Sequence, residues 1–154
     1  MRSLIASTAC VLLGTAGCTL GAAPLPTATA TLHFATIDLP RASYCWSSGG
    51  HGECADSAGP DLLLKSGVLK RYRTAGGFEA RVSFNPMSPH EFQAQMVLTP
   101  AGVTPVAPAT ENGAITIPAV TPGAAGVYVY MVTGTWNEGS VSFFLALDLT
   151  PGVA

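Results

Sequence analysis

The residues of this chain best suited to chemistry lie within thirteen positions: Tyr44-Cys45-Trp46, then His51, then Cys54-Ala55-Asp56. Two cysteines can form a disulfide, stay as thiols, or share a metal. Two aromatic side chains beside them can build a recognition surface, because aromatic rings give large contact area for few rotatable bonds. In an extended segment Tyr44 and Trp46 share one side and Cys45 faces the other. His51 and Asp56 could orient a polar ligand on that surface. The competing reading is structural, with Trp46 in the core and a bridge holding a loop that lacks a core of its own.

The beginning of the chain decides which cysteine chemistry applies. Arg2 precedes the mostly apolar run Leu4 to Leu13, and the small residues Gly14-Thr15-Ala16-Gly17 lead to Cys18. A positive start, a short apolar stretch and small residues make a secretory signal. The run is too short to span a bilayer, which takes roughly 20 residues. Ala16-Gly17-Cys18 resembles the lipobox of bacterial lipoproteins, with Thr15 where that family usually carries an aliphatic residue. The resemblance implies that Cys18 becomes the first residue and is acylated, so that the protein is held by acyl chains at the outer face of the cytoplasmic membrane or in the periplasm. Cys10 leaves with the signal. Cys45 and Cys54 remain, and in an exported chain the expectation is a disulfide. Closing a ten-residue loop contributes roughly 2.5–3 kcal/mol in chain-entropy terms.

Charge is sparse, at 10% Asp, Glu, Lys and Arg, with a formal net charge of −2. Losing Arg2 makes the mature chain one unit more negative. This argues against nucleic acid, which calls for a basic patch or stripe. The basic cluster Lys70-Arg71-Tyr72-Arg73 reads as a solvated strand or loop face, the alternative being contact with an anionic envelope polymer. Met87, His90 and Met96 are a conceivable Cu(I) set, but Met96 alternates with Phe92 and Leu98 as a core residue would. His33, His51 and His90 are isolated, and no second ligand stands at zinc spacing. There is no Gly-x-Ser-x-Gly turn, no paired carboxylates for acid–base work and no phosphate loop. The expectation is therefore a non-enzymatic protein without a cofactor.

These residues must be positioned by strands. Phe78 to Phe84 alternates strictly, as does Phe92 to Leu98, the mark of strands with one buried face. Leu32, Phe34 and Ile37 suggest a first strand, and Ala114 to Val120 a short one. Val127 to Thr135 and Ser140 to Leu149 are the strongest, joined across Trp136-Asn137-Glu138-Gly139 with Gly139 free to take positive φ. Further turns are marked by Asn85-Pro86, Pro100-Ala101-Gly102, Asn112-Gly113 and Pro122-Gly123. Asp61 to Leu69 is the one helical candidate, weakened by Gly67, and Leu62-Leu63-Leu64 also suits a strand. The expected organisation is a signal over 1–17, an unstructured Ala/Thr/Pro-rich tether over 18–30, and over 31–150 an all-β, immunoglobulin-like β-sandwich of seven or eight strands.

Two further resemblances refine this picture. Gly126-Val127-Tyr128 resembles the Gly-x-Tyr entry to the penultimate strand of immunoglobulin-like domains, which implies a tyrosine hydroxyl tied back to the chain. Ser43-Tyr44-Cys45-Trp46, a Gly-rich stretch and Cys54-Ala55-Asp56 resemble the N-terminal signature of a group of secreted bacterial lipoproteins without an assigned activity. That implies a class and no chemistry. The functional expectation is a lipid-anchored envelope protein that binds a partner protein or polymer. The alternatives are a hydrolase inhibitor presenting the Ser47 to Gly52 loop, and a copper-handling protein.

Overall fold

The computed structural model describes residues 23–33 and 35–151. In chain order the strands are β1 (Thr27–Leu32), β2 (Ala35–Leu39), β3 (Arg41–Ser48), β4 (His51–Asp56), β5 (Arg71–Ala75), β6 (Phe78–Asn85), β7 (Glu91–Leu98), β8 (Thr110–Glu111), β9 (Ala114–Ile117), β10 (Gly126–Trp136) and β11 (Gly139–Thr150), with a short α-helix, α1 (Pro60–Lys65), and a single 3-10 turn over Pro122–Ala124 among the described residues. One sheet has the order β2-β1-β6-β9-β8. The other has the order β4-β3-β11-β10-β7, with β5 also pairing with β11. The all-β sandwich expected from the sequence is the observed architecture.

Among the described residues the strands number eleven, more than the seven or eight expected. Part of the excess comes from the segment read as tether. Thr27-Ala28-Thr29-Ala30 is the start of β1, between β2 and β6. Its small side chains hide a strict alternation in which Ala28, Ala30 and Leu32 are buried. The single strand expected around Leu32 to Ile37 is instead a hairpin turning at His33, which has φ 49°. Another part comes from β3–β4, where a loop was expected.

β10 and β11 form a hairpin paired from Gly126↔Leu149 to Trp136↔Gly139. The turn is Asn137-Glu138, and Gly139 takes φ 146°. A Cβ on Gly139 would collide with the Cys45 carbonyl of β3, so glycine there permits the close approach of that strand. β11 is buried on both faces. Val141, Phe143, Leu145, Leu147 and Leu149 join the core between the sheets, while Phe144 and Ala146 join a second cluster on the outer face with Ala42, Leu69 and Val129. Leu63 and Leu64 pack against that outer cluster. The Leu62–Leu64 run is thus a short helical cover with Leu62 exposed. Gly67, at φ 75°, lies just beyond the helix end.

The tyrosine expected from Gly126-Val127-Tyr128 is in place: the Tyr128 hydroxyl donates to the Ala124 carbonyl at 2.6 Å. Burial alone pushes its pKa up. Two residues on, the buried Tyr130 hydroxyl has no hydrogen-bond partner among the described residues. Burial, and then the neighbouring Tyr128, push its pKa well above the ordinary phenol value.

Candidate functional site

Gly49 and Gly50 both have positive φ and make a two-residue turn of the kind that joins twisted strands. Strands β3 and β4 therefore continue to Ser48 and His51, and the Gly-rich stretch is a tight hairpin. Cys45 lies directly opposite Cys54. Their Cα atoms are 4.1 Å apart and the two are joined as the expected disulfide. The amide of Ser57 donates to the Ala42 carbonyl at 2.7 Å, which makes that a hydrogen-bonded pair. Alternation then makes Ser43↔Asp56, Cys45↔Cys54 and Ser47↔Gly52 the non-bonded pairs. The backbone N–H and C=O groups of Gly52, Cys54 and Asp56 consequently point away from β3, along the outer edge of the sheet.

Side-chain faces follow from the same register. Tyr44, Trp46, His51 and Glu53 share one face; Cys45, Cys54 and Asp56 share the other. Tyr44 and Trp46 are thus on one side with Cys45 opposite, as alternation requires. Trp46 is only 5% exposed. Its indole N–H donates to the Ala23 carbonyl at 3.1 Å, and its ring meets Trp136 edge-on at 5.7 Å. Tyr44 is half-buried against the core. Its hydroxyl donates to Glu53 Oε1 at 2.9 Å, and the Arg41 guanidinium lies 5.5 Å from its ring centroid. The hydrogen bond to Glu53 is the main cause raising the Tyr44 pKa, ahead of burial and of the nearby negative charge, with Arg41 opposing.

The four-residue surface of Tyr44, Trp46, His51 and Asp56 is therefore not formed. Trp46 is in the core. Asp56 is on the opposite face, about 17 Å along β4 from His51 at roughly 3.3 Å per residue. The acidic partner of Tyr44 is Glu53, which only the cross-strand register reveals.

The other candidates separate as well. His90 and Met96 are six residues apart on or next to the extended β7, about 20 Å, so they cannot share a copper ion. Among the described residues, no group of three or more His, Cys, Asp or Glu side chains could hold a metal. Arg71 and Arg73 are exposed while Tyr72 packs inward. Arg73 approaches Asp148 at 3.5 Å, the solvated strand face expected of the basic cluster. Cys18 lies outside the described residues.

Two concavities had no sequence signal. A cleft of about 560 Å³ is lined by Arg81, Phe84, Ser88, His90, Phe92 and Glu111, among others. A mostly apolar groove of about 410 Å³ is bounded by Met96, Val103, Val106, Pro108, Val120 and Tyr128, among others. Both lie along the side where β7 of one sheet faces β8 and β9 of the other. Their linings come from segments far apart in the chain, so no local spacing announces them. No protein-family model, curated protein or solved structure matches this chain.

Proposed function

We propose that this is a lipid-tethered, non-enzymatic protein of the bacterial cell envelope that acts by binding, with β4 as its docking edge. The observation that carries the reading is the state of β4. All six of its residues are exposed, yet the strand is held by the disulfide and by the Tyr44–Glu53 hydrogen bond. Preorganised edges of this kind accept an extended segment of a partner, whose main chain supplies the affinity. Unprotected edges are normally short, charged or covered. This one is short and carries Glu53 and Asp56, which limits self-association and favours a partner of complementary charge. The tether is supplied by the acylated Cys18 that the lipobox resemblance implies.

The test has two arms. Cys18→Ser should move the protein out of the membrane fraction or block its processing, and intact mass should show acyl chains on Cys18 of the wild type. A photo-crosslinking residue at Asp56 should give a discrete adduct with one envelope protein, and one on the far sheet at Glu79 should not. Asp56→Pro removes an outward N–H without touching the β3 ladder, since proline lacks the donor, and should abolish an adduct formed from position 52. An adduct that survives it excludes strand addition. A stoichiometric hydrolase as the captured partner would make the protein an inhibitor.

A further inference from the structure

The described chain begins at one end of the sandwich and is fixed there. The Trp46 indole N–H donates to the Ala23 carbonyl, and the Ala23 amide donates to the Ser48 hydroxyl. Pro26 is fully buried, and its carbonyl accepts from the Arg41 guanidinium at 3.1 Å. Ala23, the first described residue, thus sits beside the tip of the β3–β4 hairpin. The same end carries the β10–β11 turn, because Trp46 pairs with Gly139. It also carries the segment entering β7, because Glu91 pairs with Thr135 and the His90 amide donates to the Thr135 carbonyl.

Only five peptide units separate Cys18 from Ala23. Covalent geometry limits them to about 18 Å at full extension. The eleven residues of β10 run about 35 Å at roughly 3.4 Å per residue. A tether half the length of the domain, attached at one end, cannot present the other end in its place. From these lengths, and resting on acylation of Cys18, we infer that the protein stands on the phospholipid surface on its hairpin end. The turns at Gly49-Gly50 and Asn137-Glu138 and the segment Ser88-Pro89-His90 face the headgroups. The apolar groove near Tyr128 faces away from them.

The chemistry of that end sets how it meets the membrane. Residues 47–52, 85–91 and 137–138 contain no Lys or Arg and carry Glu91 and Glu138. Attraction of basic residues to anionic lipid is absent there, and the large apolar side chains Trp46 and Trp136 are buried. This end rests near the headgroups because the tether holds it, and it does not adsorb or insert by itself. β4 then lies low on the domain, within reach of partners that are themselves at the membrane surface.

The test uses mature protein purified from membranes and reconstituted into phosphatidylglycerol/phosphatidylcholine vesicles bearing an acceptor dye on the headgroups. A donor dye is placed on Asn137→Cys at the hairpin end, or on Ala101→Cys, beside the Pro100 that packs at Gly126 on the far end. Transfer to the membrane should be several-fold stronger from position 137 than from position 101. Equal transfer or the reverse order overturns the orientation. The mass of the amino-terminal peptide is read on the same sample. An acylated peptide with reversed transfer sinks the orientation alone, whereas an unmodified amino terminus sinks the lipid tether and the orientation with it. Cys18→Ser protein bound to the same vesicles at low salt would show that the end adsorbs directly, against the inference.

Discussion

Tyr128 and Tyr130 are two residues apart on one face of β10, both buried to 2% exposure or less, and they should respond to the same mutation with opposite signs. Tyr128→Phe removes a 2.6 Å hydrogen bond to the Ala124 carbonyl. A neutral hydrogen bond contributes about 0.5–1.5 kcal/mol net, and leaving its acceptor unpaired costs more. The half-buried Ala124 allows its carbonyl some access to water, so the expected loss is about 1–2 kcal/mol. Tyr130→Phe removes a hydroxyl with no partner among the described residues. Burying such a group costs about 1–3 kcal/mol by mutational measures. The small void left behind offsets a few tenths of this, at about 24 cal/mol per Å³. The expected outcome is a gain of about 1 kcal/mol. Urea unfolding followed by circular dichroism measures both, provided the denaturant slope is unchanged. The pH dependence supplies a second reading. Burial raises both phenol pKa values above the ordinary 10.0, so the unfolded chain releases these protons first. Stability is then unaffected below about pH 10 and falls as pH rises above it, and Tyr130→Phe should flatten that fall. A Tyr130→Phe variant destabilised by more than about 1 kcal/mol, or a neutral Tyr128→Phe, would refute this assignment.

Three other outcomes follow from the packing. Trp46→Ala should cost about 3–5 kcal/mol, the range for a buried large aromatic. It should also open the bond after Ala23 to limited proteolysis; a variant that unfolds like wild type would show that the ring is not part of the core. Cys54→Ala should cost at most about 3 kcal/mol and act locally, because β4 buries no residue. Hydrogen exchange should accelerate in β4 and stay slow in β10 and β11, and uniform acceleration would contradict that. Gly139→Ala places a Cβ against the Cys45 carbonyl at a φ unsuited to L-residues, so a midpoint shift of several degrees is expected on thermal melting, and none would show that β3 yields freely.

Local pattern was a good guide where it could act alone. The period-two alternation of Phe78 to Phe84 and of Phe92 to Leu98, and the Asn137-Glu138-Gly139 turn, were readable because a strand with one buried face must alternate its side chains. β1 is hidden in the sequence because Thr and Ala are both small and neither is strongly hydrophobic, so its alternation of buried Ala with outward Thr carries little signal. The hairpin β3–β4 reads as a loop by composition because serine and glycine dominate its turn, although Gly49-Gly50 is itself a hairpin signature.

By itself the sequence determined the sandwich, its final hairpin and the opposite facing of Trp46 and Cys45, and it made a Cys45–Cys54 bridge the expectation for an exported chain. Each depends on alternation, turn chemistry or cysteine number, which are properties of neighbours along the chain. Tertiary structure alone decided that Trp46 lies in the core, that Glu53 rather than Asp56 meets the Tyr44 side chain, and that Ala23 sits beside the hairpin tip. These depend on which sheet lies opposite a strand and on cross-strand register. Register is set by the packing of the whole domain, because a shift of one residue turns every side chain of a strand to the other face.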